Sequence, residues 1–356
     1  MSIGHKEVFD ALRREILAGK YDAERRLPSE SAIARQFGVS RPTVSRVTLD
    51  LKREGLIVTR RGVPATITRF ALNATGALGI VVPGEGYAEI FKPLDRRLCA
   101  LAERSGWDFI RGEIKSGDPK VRAREVRRLA YQFSKEHVTG VFFQPLEFIK
   151  DAPSVNEEAV RYFDEAGIAV LLLDYDIALP PARSRYDLVG IDNVAAGLSV
   201  GRHLLSVGAR RIAFLHRPDA APTVTNRMRG VASAVIESGG SWTQKNNVLF
   251  AEPDDLRAVA KFVERGVPEA FVAGNDVAAA VLRATLERIG GRAEKIRLVG
   301  FDDVEVASKL GMTSVRQPLD DIAQTALQTL VSRIRTPTLP PRTILLDAEL
   351  VVRQRG

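Results

Sequence analysis

Short apolar runs alternate with stretches of helical periodicity from residue 77 onward, and this alternation restricts the fold to an α/β architecture. Parallel strands need long connections, and helices usually supply them and cover both faces of the sheet. The sequence therefore predicts parallel sheets covered by helices, over a span long enough for two lobes. The predicted strands are residues 78–82, 140–143, 169–173, 188–191, 212–215, 270–273 and 297–301. The predicted helices include residues 119–136, 156–166, 193–207, 254–265 and 276–289.

The first seventy residues follow a different pattern, in which three helices precede a β-hairpin. Val8, Leu12 and Ile16 form an apolar stripe at helical spacing. Ser29 and Ser40 are placed to cap the second and third helices, because a serine hydroxyl accepts a hydrogen bond from the first turn. Two short helices joined by a tight turn and followed by a hairpin indicate a winged helix-turn-helix. The hairpin strands are expected at residues 56–59 and 65–68, joined through Arg60-Arg61-Gly62.

The distribution of charge separates the two parts of the chain. The formal net charge is +8 over 356 residues, and residues 1–70 hold 14 basic and eight acidic side chains. A small basic module joined to a nearly neutral body is typical of a protein that binds a polyanion, although solvated surface arginines give the same composition. We expect three segments: a basic module at residues 1–70, a linker at 71–76 and a larger, nearly neutral body at 77–356.

The third predicted helix carries the side chains suited to reading DNA. An α-helix fits the major groove, and its N-terminal residues reach the base edges. Arg41 can donate two hydrogen bonds to a guanine, and the arginines of the hairpin turn suit a narrow minor groove. A merely solvated role remains the alternative for each arginine. The predicted DNA-contacting residues are Ser29, Ser40, Arg41, Thr43, Ser45, Arg46, Arg60, Arg61 and Gly62.

The segment LPSESAIARQFGVSRPTVSRVTLDLKREGLIVTRRG resembles the GntR-family DNA-binding domain. The likeness covers residues 5–68 and includes LPSE, a Gly-Val-Ser-Arg turn and Glu-Gly-Leu before the wing. It implies that Arg41 is the principal base contact and that Arg61-Gly62 forms the tip of the wing. The family's wing usually continues Gly-x-Gly-Thr with an aromatic residue, whereas this chain continues Val63-Pro64-Ala65-Thr66-Ile67. This departure concerns the wing and not the helices.

Polar residues follow several predicted strands of the body, where open α/β sheets bind their ligands. Asp302 and Asp303 follow one strand, and Asn275 and Asp276 follow another. We expect Asn275 and Asp302 to face a cleft, and Asp276 and Asp303 to cap the helices that come next. Asn, Asp, Arg and Gln side chains that converge on a cleft would bind a hydroxyl-rich molecule.

The same body resembles the lactose/galactose-repressor (LacI/GalR) family, whose regulatory domain has the fold of periplasmic sugar-binding proteins. VGIDN, RMRG, GNDVAAA, VGFDD and VRQP occur in that family's order within residues 77–353. The resemblance implies a two-lobed domain whose chain crosses between the lobes near residues 206, 317 and 338. It implies that the effector contacts are Glu89, Phe91, Asp192, Arg227, Asn275, Asp302 and Gln317.

Together these features predict a ligand-responsive transcriptional repressor with a sugar or sugar-derived effector, similar to arabinose-type hybrid regulators. A single winged helix buries little surface, so we expect a homodimer on palindromic operator DNA. An alternative is an enzyme tethered to a winged helix, as in GntR proteins with an aminotransferase-like domain. That hypothesis requires a lysine that forms a Schiff base, on a body longer than this one. A bound cofactor would give such an enzyme a visible absorption band. A periplasmic sugar carrier is disfavoured by the basic first seventy residues and the lack of a signal sequence.

Few residues in the sequence could carry catalysis or hold a metal. Cys99 is the one cysteine, and none of the four histidines lies at metal-ligand spacing from another. Neither a nucleophile elbow nor a Walker-type loop is present. We therefore expect no catalytic residue, metal or cofactor. No run reaches the ~18 apolar residues of a membrane span, so we also expect a cytoplasmic protein without membrane contact.

Overall fold

The N-terminal part of the protein is a three-helix module with an antiparallel hairpin. The computed structural model describes residues 4–17, 20–21, 26–54, 56–60, 63–67, 77–82, 89–114, 118–136, 138–179 and 181–353. The module consists of α1 (His5–Leu17), α2 (Glu30–Phe37), α3 (Arg41–Arg53), β1 (Ile57–Arg60) and β2 (Val63–Ile67). The predicted winged helix-turn-helix is therefore confirmed.

Local sequence determines where the module's helices begin and end. Ser29 Oγ accepts from the backbone N of Ala32 at 3.2 Å, and Ser40 Oγ accepts from that of Thr43 at 3.4 Å, so both serines are N-caps as predicted. Gly38 ends α2 in the left-handed conformation with φ 64°, which glycine adopts without a steric penalty. The helices pack through fully buried side chains at helical spacing, namely Val8, Leu12, Ile16, Val44, Val47 and Leu51.

The first lobe of the body is built on a six-stranded parallel sheet with the strand order β13-β7-β6-β5-β3-β4. Its strands are β3 (Ala77–Val82), β4 (Asp108–Glu113), β5 (Val138–Phe143), β6 (Ala169–Leu173), β7 (Asp187–Ile191) and β13 (Thr343–Leu346). Its helices are α4 (Phe91–Arg104), α5 (Pro119–Lys135), α6 (Ala152–Glu165) and α13 (Leu319–Arg335). β5 is buried along its whole length, as expected for a central parallel strand.

The second lobe has its own six-stranded sheet with the order β14-β12-β11-β10-β8-β9, in which only β14 runs antiparallel to its neighbour. Its strands are β8 (Ile212–His216), β9 (Val248–Phe250), β10 (Ala270–Ala273), β11 (Arg297–Phe301), β12 (Thr313–Arg316) and β14 (Glu349–Val351). Its helices are α7 (Asn193–Ser206), α8 (Pro222–Glu237), α9 (Gln244–Asn247), α10 (Leu256–Glu264), α11 (Asp276–Ile289) and α12 (Glu305–Leu310), with a 3₁₀ turn at Ala293–Lys295. The predicted two-lobed α/β architecture with parallel sheets is thus confirmed.

The chain passes between the lobes three times. It leaves the first lobe between β7 and α7, at Asp192 and not near residue 206, returns between β12 and α13, and leaves again between β13 and β14. The last passage lies between Leu346 and Glu349 rather than near residue 338, because the strand after α13 first pairs with β7.

The closest helix contact in the second lobe is the crossing of α7 and α8. A Cβ placed on Gly197 would lie 2.0 Å from the carbonyl oxygen of Arg227, and one on Gly230 would lie 2.1 Å from that of Val194. No side chain fits at either position without moving the backbone. The two glycines therefore let the helices touch through their main chains, and this contact fixes the position of Arg227 against α7.

Candidate functional site

Helix α3 presents a polar face to solvent and an apolar face to the core. Arg41, Ser45 and Arg46 are exposed, whereas Val44 and Val47 are fully buried. Because the exposed residues lie at the start of the helix, they are the ones that would reach base edges when α3 enters a major groove.

Two residues of α2 hold the side chains of this face. The guanidinium of Arg41 donates through Nη2 to Ser31 Oγ, and Ser45 Oγ donates to Glu30 Oε2 at 3.0 Å. Arg41 is therefore oriented before any DNA is bound. The half-buried Thr43 lies beside the cap, with its Oγ1 2.9 Å from Ser40 Oγ.

The hairpin is described only in part. Val58 pairs with Thr66, and Arg60 is the last residue of β1, opposite Val63. The expected tip residues Arg61 and Gly62 lie outside the described residues.

The carboxyl ends of the two body sheets face each other, and we call this interface the seam. Glu147 of the first lobe accepts a hydrogen bond through Oε2 from the backbone N of Ala221 in the second, at 3.1 Å. The backbone N of Phe148 donates to the carbonyl of Asp219 at 2.7 Å, and the guanidinium of Arg217 lies 4.1 Å from the centre of the Phe148 ring. A cavity of ≈ 450 Å³ opens at the seam, with Glu147 and Ala221 in its wall.

Arg227 is a buried cation at the seam, and three contacts fix it. It is 5% exposed, and its Nε donates to Asn193 Oδ1 at 2.7 Å. Its Nη1 donates to the carbonyl of Gly274 at 2.5 Å, and its carbon Cζ lies 4.6 Å from the centre of the Phe301 ring. The remaining nitrogen, Nη2, lies 3.9 Å from Asp302 Oδ1, which is close enough for attraction but too far for a good hydrogen bond.

Asp302 follows β11 in a left-handed conformation with φ 98°, which is unfavourable for a residue other than glycine. Its Oδ1 accepts a hydrogen bond from Gln317 Nε2 at 2.8 Å. Burial raises the pKa of Asp302, while Arg227 and the Gln317 hydrogen bond oppose that rise. The structure thus brings together three of the predicted effector contacts: Arg227, Asp302 and Gln317.

Two other predicted contacts serve as helix caps. Asp192 Oδ1 accepts from the backbone N of Val194 and of Ala195, at 3.0 and 2.9 Å. Asn275 Oδ1 accepts from the backbone N of Ala278 at 2.8 Å, so Asn275 and not Asp276 is the N-cap of α11. The effector contacts of Asp192 and Asn275 stay predictions.

The expectation that Asp276 caps a helix is wrong. Its side chain is fully buried and accepts from Ser314 Oγ at 2.6 Å and from the backbone N of Val304 at 2.9 Å. Burial, with a further contribution from Asp302, raises the pKa of Asp276 to about 8. Gly300 makes room for the carboxyl group, because a Cβ there would lie 2.1 Å from Asp276 Oδ1. Asp303 also does not cap a helix; its carboxylate forms ion pairs with Arg316 and Arg353.

The last two predicted contacts lie at the start of α4. Glu89 is exposed just before the helix, and Phe91 is its first residue and belongs to the buried core. Their effector contacts also stay predictions.

Several buried polar residues of the seam were not predicted from the sequence. Burial raises the pKa of Glu147 to about 7 and that of Asp174 to about 6. Asp174 is attracted by Arg227 and repelled by Asp302, which places it beside the same cluster. Asp174 directly follows the apolar run AVLLL, so the search for carboxylates at strand ends could have found it. The other unpredicted residues are Arg122, Gln144 and Arg217.

The described residues include neither a metal-binding cluster nor a membrane-spanning helix. Among them, no three His, Cys, Asp or Glu side chains are grouped so that they could hold a metal ion. Within the same ranges, no helix is both long and apolar enough to cross a bilayer.

Comparisons with known proteins agree with this geometry. Residues 5–67 match the family described as bacterial regulatory proteins, gntR family, and residues 202–354 match the periplasmic binding protein-like domain. The HTH-type transcriptional regulator CelR of Thermobifida fusca is 27% identical, over 93% of this chain and 99% of that protein. The arabinose metabolism transcriptional repressor of Geobacillus stearothermophilus is 24% identical, over 95% of this chain and 93% of that protein. A solved structure of a CelR–cellobiose complex superposes with a TM-score of 0.66 at 24% identity, over 93% of this chain and 100% of that chain.

A winged helix-turn-helix joined to a two-lobed body with a polar cluster between its lobes defines a DNA-binding transcriptional regulator. Its N-terminal part matches the gntR-family model and its C-terminal part the periplasmic binding protein-like domain, and over almost its whole length the chain is similar to HTH-type transcriptional regulators.

Proposed function

We propose that this protein is a cytoplasmic repressor whose affinity for operator DNA is set by a sugar or sugar-derived effector bound at the seam. Relatives that match over almost the whole chain support the proposal, since one is an arabinose metabolism repressor and a similar structure is a complex with cellobiose. The effector class is carried from those proteins to this chain as part of the proposal.

The observation that carries the proposal is the position of Arg227. Its guanidinium is anchored by Asn193 and Gly274, while Asp302 stands at 3.9 Å without a direct hydrogen bond to it. A hydroxyl group placed between Arg227 and Asp302 would accept from the cation and donate to the carboxylate. Pre-oriented charged partners of this kind are how proteins select polyhydroxylated ligands.

The lobes supply a way to convert binding into a signal. Effector contacts from both sides of the seam favour one degree of closure, and a ligand shifts the population by its difference in affinity for the two states. In a homodimer, a change of closure moves the two DNA-binding modules relative to each other. Their spacing then matches or misses the two halves of a palindromic operator.

For the DNA-binding module we propose distinct roles along α3 and the hairpin. Arg41 contacts a guanine, and Ser45, Thr43 and Arg46 contact neighbouring bases or phosphates. Ser29 and Ser40 support these contacts as caps, and Arg60, Arg61 and Gly62 follow the adjacent minor groove.

The experiment that tests this function uses the full chain and an operator selected from a random DNA pool. Binding to a labelled operator is measured by fluorescence anisotropy with and without arabinose, ribose, cellobiose and the acid and phosphate derivatives of sugars. We expect at least one compound both to raise Tm and to weaken operator binding by about 100-fold, within the usual range of allosteric coupling. Selection of no preferred sequence, or operator binding that no sugar compound changes, contradicts the proposal.

A further inference from the structure

The most unusual group at the seam is a second buried arginine, Arg122, which the proposed sugar contacts do not use. Arg122 lies in the first turn of α5 and is 8% exposed. Its Nε has no hydrogen-bond partner, and its guanidinium forms no ion pair with any acidic residue in the described part of the chain. Burying a cation without a partner is unfavourable, so a protein that keeps one there points to a ligand that supplies the partner.

Another buried arginine, Arg217 of the second lobe, is also 8% exposed and is near enough to repel Arg122. Burial is the main cause that lowers the pKa of Arg122, and Arg217 adds to it, whereas the carboxyl group of Glu147 opposes it. Arg217 donates through Nε to Glu252 Oε2 at 2.7 Å and covers the ring of Phe148. Two buried guanidinium groups of like charge, one from each lobe, repel each other, and an anion bound near both would relieve that repulsion.

A neutral side chain with unmet hydrogen bonds, Gln144, lies at the carboxyl edge of the first sheet, which faces the seam. Gln144 directly follows β5 and is fully buried, and neither its Nε2 nor its Oε1 has a partner in the described structure. A buried amide without partners is rare, and a ligand hydroxyl can both donate to it and accept from it.

We propose, on the basis of the proposed function, that the effector is an acidic polyol, a sugar acid or a sugar phosphate, whose anionic group binds between Arg122 and Arg217. The planar guanidinium donates two parallel hydrogen bonds, which match a carboxylate or a phosphate and not a single hydroxyl. The hydroxyl groups of the same molecule reach Gln144 and the pair formed by Arg227 and Asp302.

The carboxyl groups of the seam do not prevent an anion from binding there. Burial raises the pKa of Glu147 to about 7 and that of Asp174 to about 6, so part of each population is protonated near neutral pH. Asp302 faces Arg227 and Gln317, and Glu252 is paired with Arg217. The positive charge of Arg122 is therefore the one in this cluster that lacks a direct partner among the described residues.

The test compares matched neutral and anionic probes on the full chain by thermal unfolding. The pairs are D-glucose with D-glucuronate, D-galactose with D-galacturonate and D-ribose with D-ribose 5-phosphate, and inorganic phosphate is compared with chloride at equal ionic strength. We expect the anionic member of at least one pair to raise Tm by about 3 °C or more beyond its neutral partner, and inorganic phosphate to raise Tm as well where the effector is a phosphate. A response to the uronates alone identifies a carboxylate effector, and a response to ribose 5-phosphate alone identifies a phosphate effector.

The variant Arg122→Gln separates this site from a merely structural arginine, and Arg124→Gln on the same helix is the control because Arg124 is exposed. Without ligand, Arg122→Gln is expected to raise Tm, since it removes a buried charge that forms no ion pair among the described residues, whereas loss of a structural arginine lowers Tm. With ligand, the anion-dependent rise should be lost in Arg122→Gln and kept in Arg124→Gln. If Arg122→Gln does not fold, Arg122→Lys keeps the charge without the two parallel donors and should weaken anion binding by about 10-fold.

Three outcomes would overturn the inference. The first is a rise in Tm with neutral sugars that their anionic partners do not give, which leaves the proposed function intact. The second is an anion effect that survives in Arg122→Gln. The third is that no probe changes the Tm of the wild-type protein. The proposed function is then decided separately, by whether an operator is selected and whether a sugar compound outside this panel releases it.

Discussion

Glu147 of the first lobe and Ala221 of the second are joined by a hydrogen bond of 3.1 Å, which ties the stability of lobe closure to an ionisable side chain. Because burial raises the pKa of Glu147 to about 7, its carboxyl group titrates within the physiological range. The folded protein binds this proton more tightly than the unfolded chain does, in which the pKa is near 4.5. Stability must therefore fall as pH rises from the unfolded pKa through the folded one.

The first prediction follows from this loss of stability with rising pH. Between about pH 5 and pH 7.5, the free energy of unfolding should fall, and Glu147→Gln should remove a part of the fall on the order of 2–3 kcal/mol. Asp174 and Asp276 shift in the same direction, so some pH dependence remains in the variant. Urea unfolding at a series of pH values measures the slope. The exposed Glu157→Gln is the matched control, and equal slopes for both variants would rule out this role of Glu147.

The second prediction concerns base recognition by Arg41. Arg41→Ala should cost ~1–3 kcal/mol on the selected operator and relax the preference at one base pair. Arg60→Ala should instead weaken binding to operator and random duplexes alike, because the negative potential that attracts this arginine to the groove is present on both. Fluorescence anisotropy on both duplexes separates the two effects, and an equal loss on both for Arg41→Ala would show that it touches phosphate only.

The third prediction concerns the alignment of Arg41 before DNA binds. Its guanidinium donates to Ser31, so Ser31→Ala should leave the contact residues in place but lower operator affinity, by about 0.5–1.5 kcal/mol, through lost orientation. Binding to random duplex should change little, which distinguishes a positioning residue from a phosphate contact. Arg35→Ala, on the exposed side of the same helix, serves as the comparison. Unchanged operator affinity in Ser31→Ala would mean that the contact does not persist in solution.

The fourth prediction concerns the effector response. Asp302→Ala should reduce effector affinity by about 2–4 kcal/mol, since it removes a charged partner and leaves Arg227 and Gln317 without it. Operator binding without effector should stay near that of the wild type, which gives a repressor that no longer responds. Titration calorimetry and anisotropy measure the two properties. Asp302→Asn keeps the shape of the side chain, so its behaviour separates loss of charge from loss of fold.

The fifth prediction concerns assembly. Sedimentation of the full chain should show a dimer at micromolar concentration with and without operator, because one winged helix buries too little surface for specific binding. Two half-sites should be needed, with centres about 34–36 Å apart on one face of the DNA. A duplex with a single half-site is the control. A monomer that binds the full operator as tightly as the half-site would contradict the prediction.

Local sequence patterns were sufficient where short-range physics decides the structure. The caps Ser29 and Ser40 depend on neighbours within three residues, and the central strands are continuous apolar runs. β4, with the sequence DFIRGE, was missed because it is an edge strand that carries charge, and the three-residue β9 was too short to give a pattern.

The polar cluster at the seam was harder to predict, because it depends on distant contacts. Asn275 and Asp276 are adjacent and chemically alike, and contacts with Ser314 and Val304, both far along the chain, decide that Asp276 is the buried one. The approach of Glu147 to Ala221 likewise spans 74 residues and two lobes. No local pattern reports which strand ends will face each other across such distances.

The three passages between the lobes determine when the protein can become functional during synthesis. β13 completes the first sheet, on which α13 packs, and β14 completes the second. Neither lobe can therefore finish folding before residues 319–351 have been synthesised. The DNA-binding module, by contrast, is made of consecutive residues near the start and can fold as soon as it leaves the ribosome. A nascent or C-terminally truncated chain would therefore have a folded DNA-binding module before its two-lobed body has folded. Control by effector would begin only after residues 319–351 have been synthesised and have joined their sheets.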